Sequence, residues 1–187
     1  MTLQTFDETR LCQLITCFDE LLGQKFDTQL ISGGLEPIYL PKSIKRAKAH
    51  IVFSHDYFSS ALHELAHWCV AGAQRREQED YGYWYAPDGR STQQQQLFER
   101  VEVKPQAIEW LLSRACGVKF SVSADNLTAD AQPSNSFKAN ILAQVHAYCQ
   151  GSLPERPLIL VNGFAERFQQ IDVLNLATYR LENLDSW

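Results

Sequence analysis

The chain has 187 residues, within the about 100–200 of a typical domain. With 45% hydrophobic and 11% aromatic residues it has material for a sizeable core, which excludes a chain that stays disordered. Seventeen basic against twenty-two acidic residues give a formal charge of −5. There is no long basic run, so nucleic acid is not expected as the main partner. No apolar stretch approaches the about 20 residues that span a bilayer, so no membrane span is expected. Cys12, Cys17, Cys69, Cys116 and Cys149 are an odd, scattered set without a CxxC pair, unlike a disulfide framework. The N-terminus carries Asp7 and Glu8 and lacks a basic start followed by an apolar core, so it does not read as a signal peptide. The expectation is one domain over 1–187, in the cytoplasm.

In chain order, Leu11, Leu14, Ile15, Phe18, Leu21 and Leu22 recur at helical spacing, with Asp7 as N-cap and Gly23 after the end. Glu36–Pro41 has proline near one end and at the other, which confines it to an extended piece or an edge strand. Ile51–Ser54 reads as a short buried strand. From Phe58 to Gly72 a wide apolar face returns at helical spacing, with Asp56 or Ser59 as cap. Tyr81–Tyr85 is aromatic and runs into the turn Pro87-Asp88-Gly89. A long helical region covers Gln94 to Cys116, with Pro105 expected to kink or restart it. Further helices are expected at Phe137–Gln150, Leu158–Gln170 and Asp172–Leu184. The fold class is α+β: mostly helical, with a few short strands.

One motif carries chemistry. His63-Glu64-Leu65-Ala66-His67 is an HExxH sequence within the second helix, so the two histidines lie one turn apart on one side and both imidazoles reach a single ion. Glu64 points about 100° around the axis and stands beside the metal without ligating it. Two histidines need a third ligand. Val70 and Ala73 occupy the positions that a metzincin pattern would use, so the third ligand comes from elsewhere. Glu99 and Glu102 share a face of the next long helix, so one can ligate while the other orients a histidine. Glu102, between Val101 and Val103 in what reads as a buried stretch, is the favoured ligand. Two histidines and a carboxylate suit Zn(II) hydrolysis, and equally Fe(II) with dioxygen. The motif by itself favours a zinc peptidase with Glu64 as general base.

The longer blocks point elsewhere. Pro37–Pro41, Ile51–His55, Ala61–Cys69, Tyr81–Arg90 and Phe98–Ala107 together resemble the bacterial elongation factor P hydroxylase family, from about Phe6 to Pro157, fading in the last thirty residues. The resemblance implies an oxygen-dependent hydroxylase, with Fe(II) as its metal. Its substrate would be the lysine of elongation factor P that already carries a β-lysyl group. It places the metal on His63, His67 and Glu102, in an arrangement like that of metallopeptidases. Dioxygen is then the co-substrate, and Glu64 becomes the catalytic residue as histidine orienter or proton relay. No Gly-rich fingerprint for a flavin or nicotinamide is present, so the sequence names no electron donor.

Other residues have two readings. His55 is either a substrate or ligand contact or a structural histidine; His50 and His146 read as structural or surface. Tyr81–Tyr85 either packs or walls a lysine stem by cation–π contact, and Asp88 and Arg90 sit at a turn tip. Lys42, Lys45, Arg46 and Lys48 form either a solvated face or a surface for an acidic partner. The cysteines read as core residues.

Overall fold

The computed structural model describes residues 3–80, 91–123 and 133–185. Helix α1 spans Leu3–Phe18 and continues into a wide turn over Asp19–Gly23. It starts before Asp7, which therefore lies inside the helix and is not its cap. No glycine or proline in that first segment stops the helix. Three strands follow: β1 Thr28–Gly34, β2 Ile38–Leu40 and β3 Ala49–Ser54. The sheet order is β1-β3-β2, with β1 parallel and β2 antiparallel to β3. The proline-flanked segment is thus an edge strand, as its missing N–H donors require.

β1 has no counterpart in the sequence reading. Ser32-Gly33-Gly34 looks like a turn, but the register of β1 on β3 shifts between Ile31 and Gly34, and Gly33 sits there at φ 89°. Glycine tolerates that left-handed bulge without steric cost. In β3, Ala49, Ile51 and Phe53 are buried and alternate with half-buried His50, Val52 and Ser54, so the strand lays one face on the core.

Helix α2 spans Phe58–Val70 and buries Ala61, Leu62, Leu65, Ala66, Trp68 and Cys69. Neither Asp56 nor Ser59 caps it: the N-cap is Tyr57, without a side-chain bond. Helix α3 spans Thr92–Ala115 and opens with a capping box, Ser91 and Gln94 each binding the other's backbone N–H. It runs through Pro105 without restarting. A mid-helix proline costs about 3 kcal/mol; burial of Ala107, Ile108, Leu111 and Leu112 against the core outweighs that.

Helix α4 spans Asn135–Ala147, capped by Ser134, and α5 spans Glu155–Arg167. The expected helix at 172–184 is replaced by a short turn at Leu176–Thr178 and a one-turn α6, Glu182–Asp185. There the chain is tied by Tyr179, whose hydroxyl donates to the Val173 carbonyl and whose ring meets Trp110 edge-on at 5.1 Å. Packing of single side chains, not helical repeat, holds that segment. The fold is therefore α+β and mostly helical around one continuous apolar cluster, with α3 packed against α2, α4 and α5. No described helix is long and apolar enough to cross a membrane.

Arg156, in the first turn of α5, fastens the end of α2. Its guanidinium donates to the carbonyls of Trp68 (2.9 Å), Cys69 (3.0 Å) and Ala71 (2.6 Å) and lies 4.7 Å from the Trp68 ring centroid. These carbonyls have no donor within the helix, and the positive charge opposes the helix dipole favourably. Arg156→Met is expected to cost about 1.5–3 kcal/mol, the range for hydrogen bonds to a charged group. Denaturant unfolding at constant slope measures it; a loss under about 0.5 kcal/mol, the surface-substitution range, would show that the carbonyls are satisfied otherwise.

Candidate metal centre

His63 and His67 project from α2 toward α3, where Glu102 and Glu109, seven residues or two turns apart, share the facing side. The Nε2 atoms of the two histidines lie 3.0 Å apart. Glu102 Oε1 is 3.3 Å from His67 Nε2 and its Oε2 is 4.0 Å from His63 Nε2. One ligand atom from each of His63, His67 and Glu102 falls within 4.8 Å of the others, a set that could hold a metal ion.

Glu102 is 4% exposed, and its Oε2 is buried without a hydrogen-bond partner. A buried carboxylate oxygen left bare is costly, and an ion bound between it and the imidazoles removes that cost. The donor set therefore fits a metal. Burial would raise the Glu102 carboxyl, but His67 and His63 outweigh it and hold the group below its usual range. The burial expected of Glu102 is present, but not through its neighbours. Val101 is 49% exposed, because each residue turns 100° from the next on a helix.

His63 Nδ1 lies 2.7 Å from Glu109 Oε2 and donates its proton there, since a carboxylate accepts only. That bond leaves Nε2 of His63 as the atom facing His67 and Glu102. Burial pulls the imidazole down, but the Glu109 carboxylate more than reverses it and raises His63 to about 10 without an ion.

Glu109 is absent from the sequence reading, which assigned the orienting part to Glu99 or Glu64. Glu99 instead accepts from the backbone N–H (3.2 Å) and the hydroxyl (2.6 Å) of Ser134, the residue that caps α4. It lies outside the cluster. The signal that would have found Glu109 is its seven-residue spacing from Glu102, which repeats a face every two turns.

Beside the cluster is a cavity of about 410 Å³, of a size that takes a small ligand or a long side chain. Glu64, His67, Trp68 and Ala71 form one wall; Tyr39, Ile51, Val70, Val101 and Pro105 supply most of the apolar lining. Gly72, Arg76, Glu102 and Asp80, which is ion-paired to Arg75, complete it among the described residues. Glu64 makes no hydrogen bond among the described residues. Burial raises its carboxyl above the usual range, against the lowering effect of the two histidines.

The other candidates are dispersed. His55 is exposed at φ 51° with its ring 5.2 Å from Tyr57, outside the cluster. His50 is half-buried on β3, and His146 Nε2 meets the Tyr179 carbonyl at 3.1 Å. Lys42 pairs with Asp27 and Lys48 with Asp19, while Arg46 donates to the Pro41 carbonyl. Cys17, Cys69 and Cys116 are buried, Cys149 is half-buried and Cys12 is exposed. Tyr81–Tyr85, Asp88 and Arg90 lie outside the described residues.

The family model for "Elongation factor P hydroxylase" matches residues 17–179. The match passes Pro157, where the sequence resemblance was expected to fade, and reaches buried Tyr179. A curated protein of Haemophilus influenzae, "Elongation factor P lysine hydroxylase", is 43% identical over 172 residues, covering 92% of this chain and 97% of its own length. With agreement over that share of both chains, this chain belongs to the elongation factor P hydroxylase family.

Proposed function

We propose that this protein hydroxylates a lysine side chain of elongation factor P, the lysine already extended by a β-lysyl group, in the cytoplasm. The whole chain, 1–187, acts as one catalytic domain. His63, His67 and Glu102 hold one Fe(II), and Glu64 is the catalytic carboxylate that faces substrate. The observation that carries this reading is a three-ligand cluster, with one bare buried carboxylate oxygen, beside a cavity in a chain of the hydroxylase family. Structural zinc sites are closed by four protein ligands; three leave positions open.

Bound Fe(II) would supply the redox chemistry with dioxygen that places an oxygen atom in a C–H bond. The balance is one oxygen atom into the substrate and one into water, with two electrons from an external reductant and two protons. The protein's own part is geometric. Glu109 holds the Nδ1 proton of His63, which keeps Nε2 a lone-pair donor toward the ion. Glu102 supplies the anionic oxygen from α3. The apolar cavity lining admits the methylene stem of a long side chain and keeps bulk water from it.

The test is intact-mass analysis of elongation factor P after incubation with protein, Fe(II), reductant and oxygen. Addition of one oxygen atom to the modified lysine is expected, and an unchanged mass would reject the reading.

The ligand roles predict an order of metal affinity. Glu102→Ala should weaken binding most. Glu109→Gln should weaken it about 10–100-fold, as for other carboxylates that orient a ligating histidine. Glu99→Ala should leave it unchanged and lower stability through the α4 cap by about 1 kcal/mol. Metal titration by calorimetry gives the order; a larger loss for Glu99→Ala than for Glu102→Ala would reject the assignment.

A further inference from the structure

On the reading of the centre as a lysine hydroxylase, we infer that Glu64 is the residue that recognises the positive charge of the substrate. Its carboxylate receives an aliphatic ammonium of the lysine-derived side chain, and it gives the cavity a preference for a cationic over a neutralised side chain.

Three observations converge on this. The first is direction. Residues 64, 67, 68 and 71 of the metal-helix segment line the cavity together, the i, i+3, i+4, i+7 stripe of one helical face, whereas His63 turns to Glu109. Glu64 therefore shares a wall with His67 and looks into the space that a side chain would fill.

The second is that Glu64 is uncommitted. The orienting bond to His63 belongs to Glu109, and Glu102 stands with the two imidazole Nε2 atoms. No hydrogen bond or ion pair joins Glu64 to another described residue.

The third is charge. One divalent ion held by His63, His67 and Glu102 would balance Glu102 and Glu109. Asp80 is ion-paired to Arg75. Arg76 is turned to the Ala71 carbonyl and lies 5.8 Å from the Phe26 ring centroid. Among the described residues, Glu64 is the remaining carboxylate of the wall with no ion-pair partner. Glu102, which also lines the cavity, faces the two imidazoles, and Ile51, Val70, Val101 and Pro105 offer contacts for methylene groups. A half-apolar slot with one free carboxylate is complementary to an aliphatic amine.

The experiment uses whole protein loaded with Zn(II), which binds without turning substrate over. Calorimetry compares elongation factor P carrying the modified lysine with the same protein whose target side chain is N-acetylated. Metal content is measured in every sample.

Wild type is expected to bind the free-amine form about 10–100-fold more tightly, the range for one charge-assisted hydrogen bond. Glu64→Gln should retain zinc and bring that ratio close to one, and Glu64→Asp, which keeps the charge, should restore part of it. A wild type that does not distinguish the two substrates would overturn the inference, whatever the variants do. So would a Glu64→Gln protein that keeps the full preference, or one that loses its zinc and so reveals a ligand. Oxygen addition by the Fe(II) wild type is measured in parallel. Oxygen incorporation with an unaltered preference in Glu64→Gln rejects this role alone, whereas no incorporation by wild type rejects the hydroxylase reading.

Discussion

Replacement of His63 or His67 by alanine is expected to abolish metal retention while leaving the chain folded. Each removes one of three proposed ligands, a loss greater than the about 10–100-fold typical of a residue that only orients a ligand. The helix does not depend on the ion for its place. Ala61, Leu62, Leu65, Ala66, Trp68 and Cys69 bury its apolar face, and Arg156 holds its last carbonyls. Each variant should also lower stability. His63→Ala strips Glu109, 7% exposed, of its hydrogen-bond donor, and an unsatisfied buried group costs about 1–3 kcal/mol. His67→Ala leaves that pair intact but removes the imidazole 3.3 Å from Oε1 of Glu102, 4% exposed, and should cost a comparable amount. Metal analysis after gel filtration, with circular dichroism on the same samples, reads both effects. Full metal occupancy in both variants would remove the histidines from the ligand set.

The second large effect separates oxygen chemistry from hydrolysis. HExxH spacing and a cavity-facing Glu64 also suit a zinc peptidase, in which that carboxylate deprotonates a metal-bound water. Such an enzyme needs no oxygen, and loss of its general base removes about 10²–10⁴-fold of the rate. Insertion of oxygen into a C–H bond changes oxidation state, and Zn(II) has no redox chemistry to offer. The Fe(II) protein is therefore expected to modify elongation factor P only with oxygen and reductant, and the zinc form to be inert and to cleave no peptide. Oxygen-independent proteolysis by the zinc form, lost in Glu64→Gln, would establish the peptidase instead.

What was legible in the sequence is what depends on short-range periodicity. Four residues separate His63 from His67, so any helix there brings the two imidazoles to one side. The apolar repeats of α1 and α2 are read in the same way, because burial selects one face of a repeating geometry, and Ile51–Ser54 reads as a short buried strand from its apolar run. Proline at both flanks confined Glu36–Pro41 to an extended piece or an edge strand, because a missing N–H cannot serve a central strand, and β2 is the edge strand. The blocks from Pro37 to Ala107 were enough to indicate the family, since they keep whole stretches of side chains and not only a motif.

Tertiary structure alone decided the partners. β1 was missed because parallel pairing with β3 is made across intervening chain, and its Ser-Gly-Gly end resembles a turn until a neighbour supplies the ladder. Pro105 was expected to interrupt α3, yet core packing on both sides kept the helix whole. Glu99, Glu102 and Glu109 occupy one helix as three similar carboxylates. One meets Ser134, one meets the histidine pair, and one meets His63 across 46 positions of sequence. Spacing puts Glu102 and Glu109 on one face but does not assign their roles, because a carboxylate's role is set by the charge and donors that packing brings against it, and those come from other helices.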